Sequence, residues 1–92
     1  MSSGLRILYI DDDPALARLA KRDLERRGHS VEIAKDANAG IARVSLGGID
    51  VVALDHYMPG QDGLTTLAAI RAIPAAPPVV ELCGKVGDDG LR

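Results

Sequence analysis

Two short runs of aliphatic residues, each ending at an aspartate, constrain the fold of this chain most strongly. The first run spans Leu5 to Ile10 (LRILYI) and stops at three aspartates, and the second spans Asp50 to Leu54 (DVVAL) and stops at Asp55. Apolar runs of this length are typical of strands buried on both faces, as in a parallel sheet. The sequence therefore predicts two buried strands, each with carboxylates at its carboxyl end.

A helix is predicted directly after the first strand. Asp13 can accept hydrogen bonds from free N–H groups at a helix start, and Pro14 is tolerated at the first helical position. Gly28 is a plausible C-terminal stop. Apolar residues recur at helical spacing between them and are expected to face the sheet: Leu16, Leu19, Ala20 and Leu24.

The rest of the chain continues this alternation. An alternating strand is predicted over Ser30 to Ala34, a helix over Ala37 to Leu46, and a fourth strand over Val79 to Cys83. A third helix that Pro74 ends is marked by apolar residues at Leu64, Leu67, Ile70 and Ile73. Strands alternating with helices at this spacing predict an α/β fold with a doubly wound parallel sheet.

Length and composition narrow the functional classes. The 92 residues suffice for one domain or part of one, and 11 Lys+Arg against 13 Asp+Glu give a net charge of −2, so nucleic acid is not an expected direct partner. The single cysteine allows no internal disulfide, and no apolar run is long enough for a membrane span. We expect a cytoplasmic protein without membrane contact.

Basic residues cluster on the first helix, where a solvated face is favoured over a docking surface: Arg18, Lys21, Arg22, Arg26 and Arg27.

The aspartates can form one site if the first and third strands are neighbours. Ligands of open α/β sheets bind beyond the carboxyl ends of the strands, where Asp11, Asp12 and Asp55 would then converge. Carboxylates packed together repel unless a cation or protons intervene, and Mg²⁺ prefers oxygen ligands of this kind. Asp13 is better assigned as the helix cap.

Two segments resemble the receiver domains of two-component response regulators. They are ILYIDDDP at residues 7–14 and VVALDHYMPGQDG at residues 51–63, and the resemblance covers roughly residues 5 to 83. It implies a flavodoxin-like sheet with strand order 2-1-3-4, in an incomplete receiver domain over residues 1–83. Residues 84–92 are expected to form a loop or disordered tail.

The resemblance also implies the role of each residue. Asp55 would accept a phosphoryl group from a phosphohistidine on a sensor histidine kinase or phosphotransfer protein. Mg²⁺ would be held by Asp11, Asp12, the Asp55 carboxylate and the backbone carbonyl of Tyr57. The following loop would be shaped by Met58, Pro59, Gly60 and Gly63.

The sequence departs from the family pattern in two places. Cys83 stands where the family has Ser or Thr, and a thiol is a weak hydrogen-bond donor. The fifth βα unit, whose strand carries the family's lysine, is missing, and Lys85 cannot occupy that position by sequence order. The fourth strand would then be an uncovered apolar edge, which predicts a homodimer or other self-association through it.

Two alternative functions remain open. The departures at Cys83 and in the fifth strand favour a pseudo-receiver, a binding or dimerisation module that is not phosphorylated. A weaker alternative is a Mg²⁺-dependent phosphohydrolase built on the same carboxylates, for which no general acid can be identified.

Overall fold

The computed structural model describes residues 4–55 and 63–82, which form four parallel strands and three helices in strict alternation. The strand order is β2-β1-β3-β4. The predicted doubly wound α/β fold and its strand order are therefore confirmed. The elements are β1 (Arg6–Ile10), α1 (Pro14–Arg26), β2 (Ser30–Ala34), α2 (Ala37–Ser45), β3 (Val51–Asp55), α3 (Gly63–Arg71) and β4 (Val79–Leu82).

The central strand β1 sets the alignment of the sheet. Ile10 pairs with Ala34 of β2 on one side and with Leu54 of β3 on the other. Because side chains alternate along a strand, residues in the same register lie on the same face of the sheet. Asp11 follows Ile10 and Asp55 follows Leu54. The two aspartates therefore lie together at the carboxyl ends of the strands and on one face of the sheet.

One face of the sheet, the closed face, is covered by α2 and α3 and contains the main core. Its fully buried side chains are Leu8, Ile10, Val52 and Leu54 from the strands and Ile70 from α3. These residues alternate along β1 and β3, as the pleat requires, and α2 adds Val44. The closed face therefore holds the two central strands in fixed register.

The other face carries α1, which lies over β2 and part of β1. Its buried side chain is Ala17, whereas Leu16 and Leu19 are 50% and 60% exposed. The prediction that these two leucines face the sheet is wrong. The small Ala17 side chain lets the helix approach the strands closely. Leu16 and Leu19 then lie outside the contact between the helix and the sheet.

The predicted helix ends are mostly confirmed. The Asp13 carboxylate accepts from the N–H groups of Ala15 at 3.0 Å and Leu16 at 3.2 Å. After α1, Gly28 has a φ of +98°, which favours glycine, and its N–H donates to the Glu25 carbonyl at 3.0 Å. The chain therefore leaves α1 at the predicted residue.

The third helix differs from its prediction. It ends at Arg71, so Ile73 lies in the turn before Pro74 and outside the helix. A proline disfavours helical backbone at the residue before it, so the helix stops early. Leu64, one of the apolar residues that mark this helix in the sequence, is 64% exposed. No described helix is long and apolar enough to cross a membrane.

Candidate functional site

Three carboxylates meet at the carboxyl ends of β1 and β3. Asp11 and Asp12 follow β1, and Asp55 is the last residue of β3. One carboxylate oxygen from each residue can be chosen so that all three lie within 4.8 Å of one another. The structure thus brings together the three aspartates that the sequence singled out, because their strands are parallel neighbours.

Backbone hydrogen bonds hold Asp11 in place. Its N–H donates to the Ala34 carbonyl at 3.0 Å, which continues the β1–β2 ladder by one residue. Its carboxylate accepts from the N–H of Asp13 at 3.0 Å. Asp13 itself caps α1, as predicted, so the strand-to-helix turn orients Asp11 and directs the Asp13 carboxylate to the helix start.

The cluster is electrostatically costly when it is fully ionised. Asp11 is only 3% exposed. Burial raises its pKa above the ordinary value, the Asp13 N–H opposes that shift, and the neighbouring Asp55 and Asp12 raise it further. A divalent cation would offset both the free-energy cost of burying the Asp11 charge and the repulsion among the three carboxylates. Carboxylate oxygens are the ligands that Mg²⁺ prefers. The donor set therefore fits Mg²⁺.

Tyr9 is a neighbour of the site that sequence reasoning missed, since it was expected only to pack against a helix. Burial raises the pKa of the Tyr9 hydroxyl, as do the charges of Asp11 and Asp55 and a side-chain hydrogen bond to Asp11. Tyr9 and Asp11 are two residues apart on one strand and hence lie on the same face. Strand alternation was the signal that could have identified this contact.

Several predicted site residues lie outside the described residues. These are Tyr57, Met58, Pro59, Gly60 and Cys83. Gly63, which the resemblance places among the loop-shaping residues, is the first residue of α3. The roles of all these positions stay predictions.

The comparison with known families agrees with the fold and the acidic cluster. The family model for the response regulator receiver domain matches residues 7–89. The chain belongs to this family. Receiver domains generally bind Mg²⁺ in an acidic pocket, interact with sensor histidine kinases or phosphotransfer proteins, and are regulatory rather than classical enzymes.

Individual relatives support the assignment. The chain is 36% identical over 83 residues to the transcriptional regulatory protein TcrA of Mycobacterium tuberculosis, an alignment that covers 90% of this chain and 33% of TcrA. TrcR of the same organism is 37% identical over 83 residues, covering 90% of this chain and 32% of TrcR. The chain thus spans about a third of the length of these relatives.

Solved structures of receiver domains share the fold. The receiver domain of the hybrid histidine kinase CckA superposes with a TM-score of 0.73 at 35% identity, over 83% of this chain and 72% of that one. The N-terminal domain of a response regulator receiver protein from Methanoculleus marisnigri gives a TM-score of 0.80 at 31% identity, over 88% and 68% of the two chains.

Proposed function

We propose that this chain accepts a phosphoryl group on Asp55, in a site that holds Mg²⁺ between Asp11, Asp12, the Asp55 carboxylate and the backbone carbonyl of Tyr57. The observation that carries the proposal is the convergence of the three carboxylates within 4.8 Å at the ends of adjacent parallel strands. Membership of the receiver family supports the same role.

The chemistry follows from the arrangement of these groups. An Asp55 oxygen attacks the phosphorus of a phosphohistidine, the P–N bond breaks, and its electron pair stays on the imidazole nitrogen, which takes up a proton. Bound Mg²⁺ supplies charge neutralisation on the phosphoryl oxygens. Asp11, whose carboxylate accepts from the Asp13 N–H, is preorganised as a ligand.

The partner and setting follow from this function. We expect the donor to be a sensor histidine kinase or phosphotransfer protein and the site of action to be the cytoplasm. The curated relatives are named as transcriptional regulatory proteins, but this chain matches about a third of their length. Because the net charge of this chain is −2, we expect it to receive the signal without contacting nucleic acid itself.

Intact-mass spectrometry with acetyl phosphate tests phosphoryl acceptance. We expect the mass of one phosphoryl group to be added only when Mg²⁺ is present, and the addition to be lost in Asp55→Asn. The matched control is Asp13→Asn, because asparagine caps helices about as well as aspartate and Asp13 lies outside the cluster. No addition to a folded chain would favour the alternative function, a pseudo-receiver that serves as a binding module.

We also propose that the chain self-associates through β4. Among the described strands β4 is an edge, and Val80 is 50% exposed. The Val52 N–H donates to the Pro78 carbonyl at 3.0 Å, so by alternation the backbone groups of Val79 point away from β3. An edge strand can template the pairing of another strand.

A proline substitution at an outward-pointing position of β4 distinguishes association through strand pairing from association through other contacts. Val79→Pro should weaken self-association, because it removes an N–H on the outer side and leaves the β3 ladder in place. Val79→Ala is the matched control and should associate as the wild-type chain does. Equal association of the two variants in sedimentation velocity would contradict pairing through β4.

A further inference from the structure

A row of three register positions crosses the carboxyl end of the sheet. Ile10 of β1 pairs with Ala34 of β2 and with Leu54 of β3. The residues that come next on these three strands are Asp11, Lys35 and Asp55. The Asp11 N–H donates to the Ala34 carbonyl at 3.0 Å, so the pairing of β1 with β2 continues to this position. A lysine thus follows β2 at the end of the sheet where the carboxylates meet.

The backbone on both sides of Lys35 is held by hydrogen bonds. Ala34, before it, belongs to the β1–β2 ladder. Asp36, after it, caps α2: its carboxylate accepts from the Ala39 N–H at 2.8 Å, and its carbonyl accepts from the Gly40 N–H at 3.0 Å. Lys35 itself is exposed, and lysine carries its ammonium on a flexible four-carbon stem. The position of Lys35 is therefore fixed, whereas its ammonium can adjust to a bound group.

No other described lysine or arginine directly follows the carboxyl end of a strand. Arg6 begins β1 and Arg71 ends α3. Arg43 lies in the last turn of α2 and pairs with Glu32 at 2.7 Å. The remaining described cations lie along α1 or directly after it: Arg18, Lys21, Arg22, Arg26 and Arg27. Lys35 is therefore the described cation that the topology places beside the acidic cluster.

Phosphoryl transfer increases the negative charge at this end of the sheet. One Mg²⁺ ion offsets two of the three carboxylate charges. A phosphoryl group then replaces the single charge of the Asp55 carboxylate with about two negative charges. The phosphoryl donor is also an anion and must approach the remaining carboxylates. A positive charge beside the site would lower the free energy of both the approach and the phosphorylated state.

We propose that the Lys35 ammonium contacts the phosphoryl oxygens at Asp55 during and after transfer. Neighbouring strands lie about 4.8 Å apart, so about 10 Å separates the backbone positions of Lys35 and Asp55. The lysine stem on one side, and the Asp55 side chain with its phosphoryl group on the other, are long enough together to cover that distance. The ammonium donates hydrogen bonds and keeps its protons. This inference rests on the proposed function and adds a residue that binds the transferred group.

The rate of phosphoryl acceptance tests the contact. Lys35→Gln should lower the rate constant at limiting acetyl phosphate by about tenfold, the effect of losing one charge-assisted hydrogen bond. Lys35→Arg should retain most of the rate, because a guanidinium also donates to phosphate oxygens. Arg22→Gln is the matched control. It makes the same change in net charge at an exposed position about 12 Å along α1 from the first residue of that helix. Intact-mass time courses give the rates, and circular dichroism checks the folding of each variant.

Mg²⁺ binding distinguishes a contact with the phosphoryl group from a structural role of Lys35. A positive charge beside the carboxylates repels the metal ion, so Lys35→Gln should bind Mg²⁺ as tightly as the wild-type chain or more tightly. A substitution that distorted the site would instead weaken Mg²⁺ binding and phosphoryl acceptance together. Thermal unfolding over a range of Mg²⁺ concentrations measures this affinity without a phosphoryl donor.

Three results would overturn this inference and leave the proposed function standing. They are phosphoryl acceptance by Lys35→Gln at the wild-type rate, an equal loss of rate in Arg22→Gln, and a loss of Mg²⁺ affinity in Lys35→Gln that accompanies its loss of rate. A folded wild-type chain that gains no phosphoryl mass would instead overturn the proposed function, and this inference with it.

Discussion

The two faces of the sheet are built from the same strands but differ in how completely they are covered. On the closed face Leu8, Ile10, Val52 and Leu54 are fully buried under α2 and α3. On the opposite face α1 leaves Val80 half exposed. Asp11 and Asp55 belong in register to this second face, but their separation is set by the pairing of β1 with β3, which the closed core secures. The geometry of the site therefore depends on the packing of the closed face.

The largest difference between the faces should appear in unfolding by urea. Leu54→Ala removes a fully buried side chain from the closed face and should lower the free energy of unfolding by about 3 kcal/mol. Leu19→Ala, the same substitution at a 60% exposed position, should change it by less than about 0.5 kcal/mol at concentrations where the chain is monomeric. Similar losses for the two variants would contradict the described difference in packing.

Mg²⁺ should stabilise the end of the sheet where the carboxylates meet. A ligand that binds only the folded state adds about 2.7 kcal/mol to the free energy of unfolding at one hundred times its dissociation constant. Thermal unfolding with and without Mg²⁺ should show this gain in the wild-type chain and in Asp13→Asn. Asp11→Asn should show little of it, since Asp11 is a proposed ligand. A gain of the same size in Asp11→Asn would place the ion elsewhere.

The helix cap next to the site should have a moderate effect. Asp13→Ala leaves the N–H groups of Ala15 and Leu16 without their side-chain acceptor and should lower the free energy of unfolding by about 1 kcal/mol. Asp13→Asn should be nearly neutral, because the amide oxygen can accept the same bonds. If chemical denaturation shows an equal loss for both variants, the charge of Asp13 matters more than its capping bonds.

The smallest effect expected is the pH dependence that Asp11 contributes in the absence of metal, because the Asp13 N–H opposes part of the upward shift in its pKa. A raised pKa means that the folded chain binds the proton more tightly than the unfolded chain. Stability should therefore fall as pH rises from the ordinary value of 3.8 through the raised folded pKa. Urea titrations in chelator should show a shallower fall for Asp11→Asn; an unchanged slope would exclude Asp11 as its source.

Much of the fold could be predicted because its signals are local. The bounds of β2 are the predicted ones, Gly28 follows α1, and the parallel order brings Asp11 and Asp55 together as expected. The side of α1 that faces the sheet was not predictable in the same way. Helical spacing permits more than one stripe, and the close approach at Ala17 decides between them only once the sheet is present.

The candidate site was predicted to different degrees. The three carboxylates follow from strand ends, which sequence patterns identify well. Strand alternation puts Tyr9 and Asp11 on one face, but the interaction of the Tyr9 hydroxyl with the Asp11 carboxylate also depends on side-chain placement within the folded sheet. The roles of Tyr57 and Cys83 rest on the family resemblance and stay predictions.

Locating the phosphoryl group by tandem mass spectrometry would test the central claim most directly. The chain is treated with acetyl phosphate and Mg²⁺, and borohydride then reduces an aspartyl phosphate to homoserine, which marks the modified residue in a peptide spectrum. We predict homoserine at position 55 alone, and only when Mg²⁺ was present. Modification at Asp11 or Asp12, modification that needs no metal, or none in the folded chain would contradict the assignment of Asp55 as phosphoacceptor.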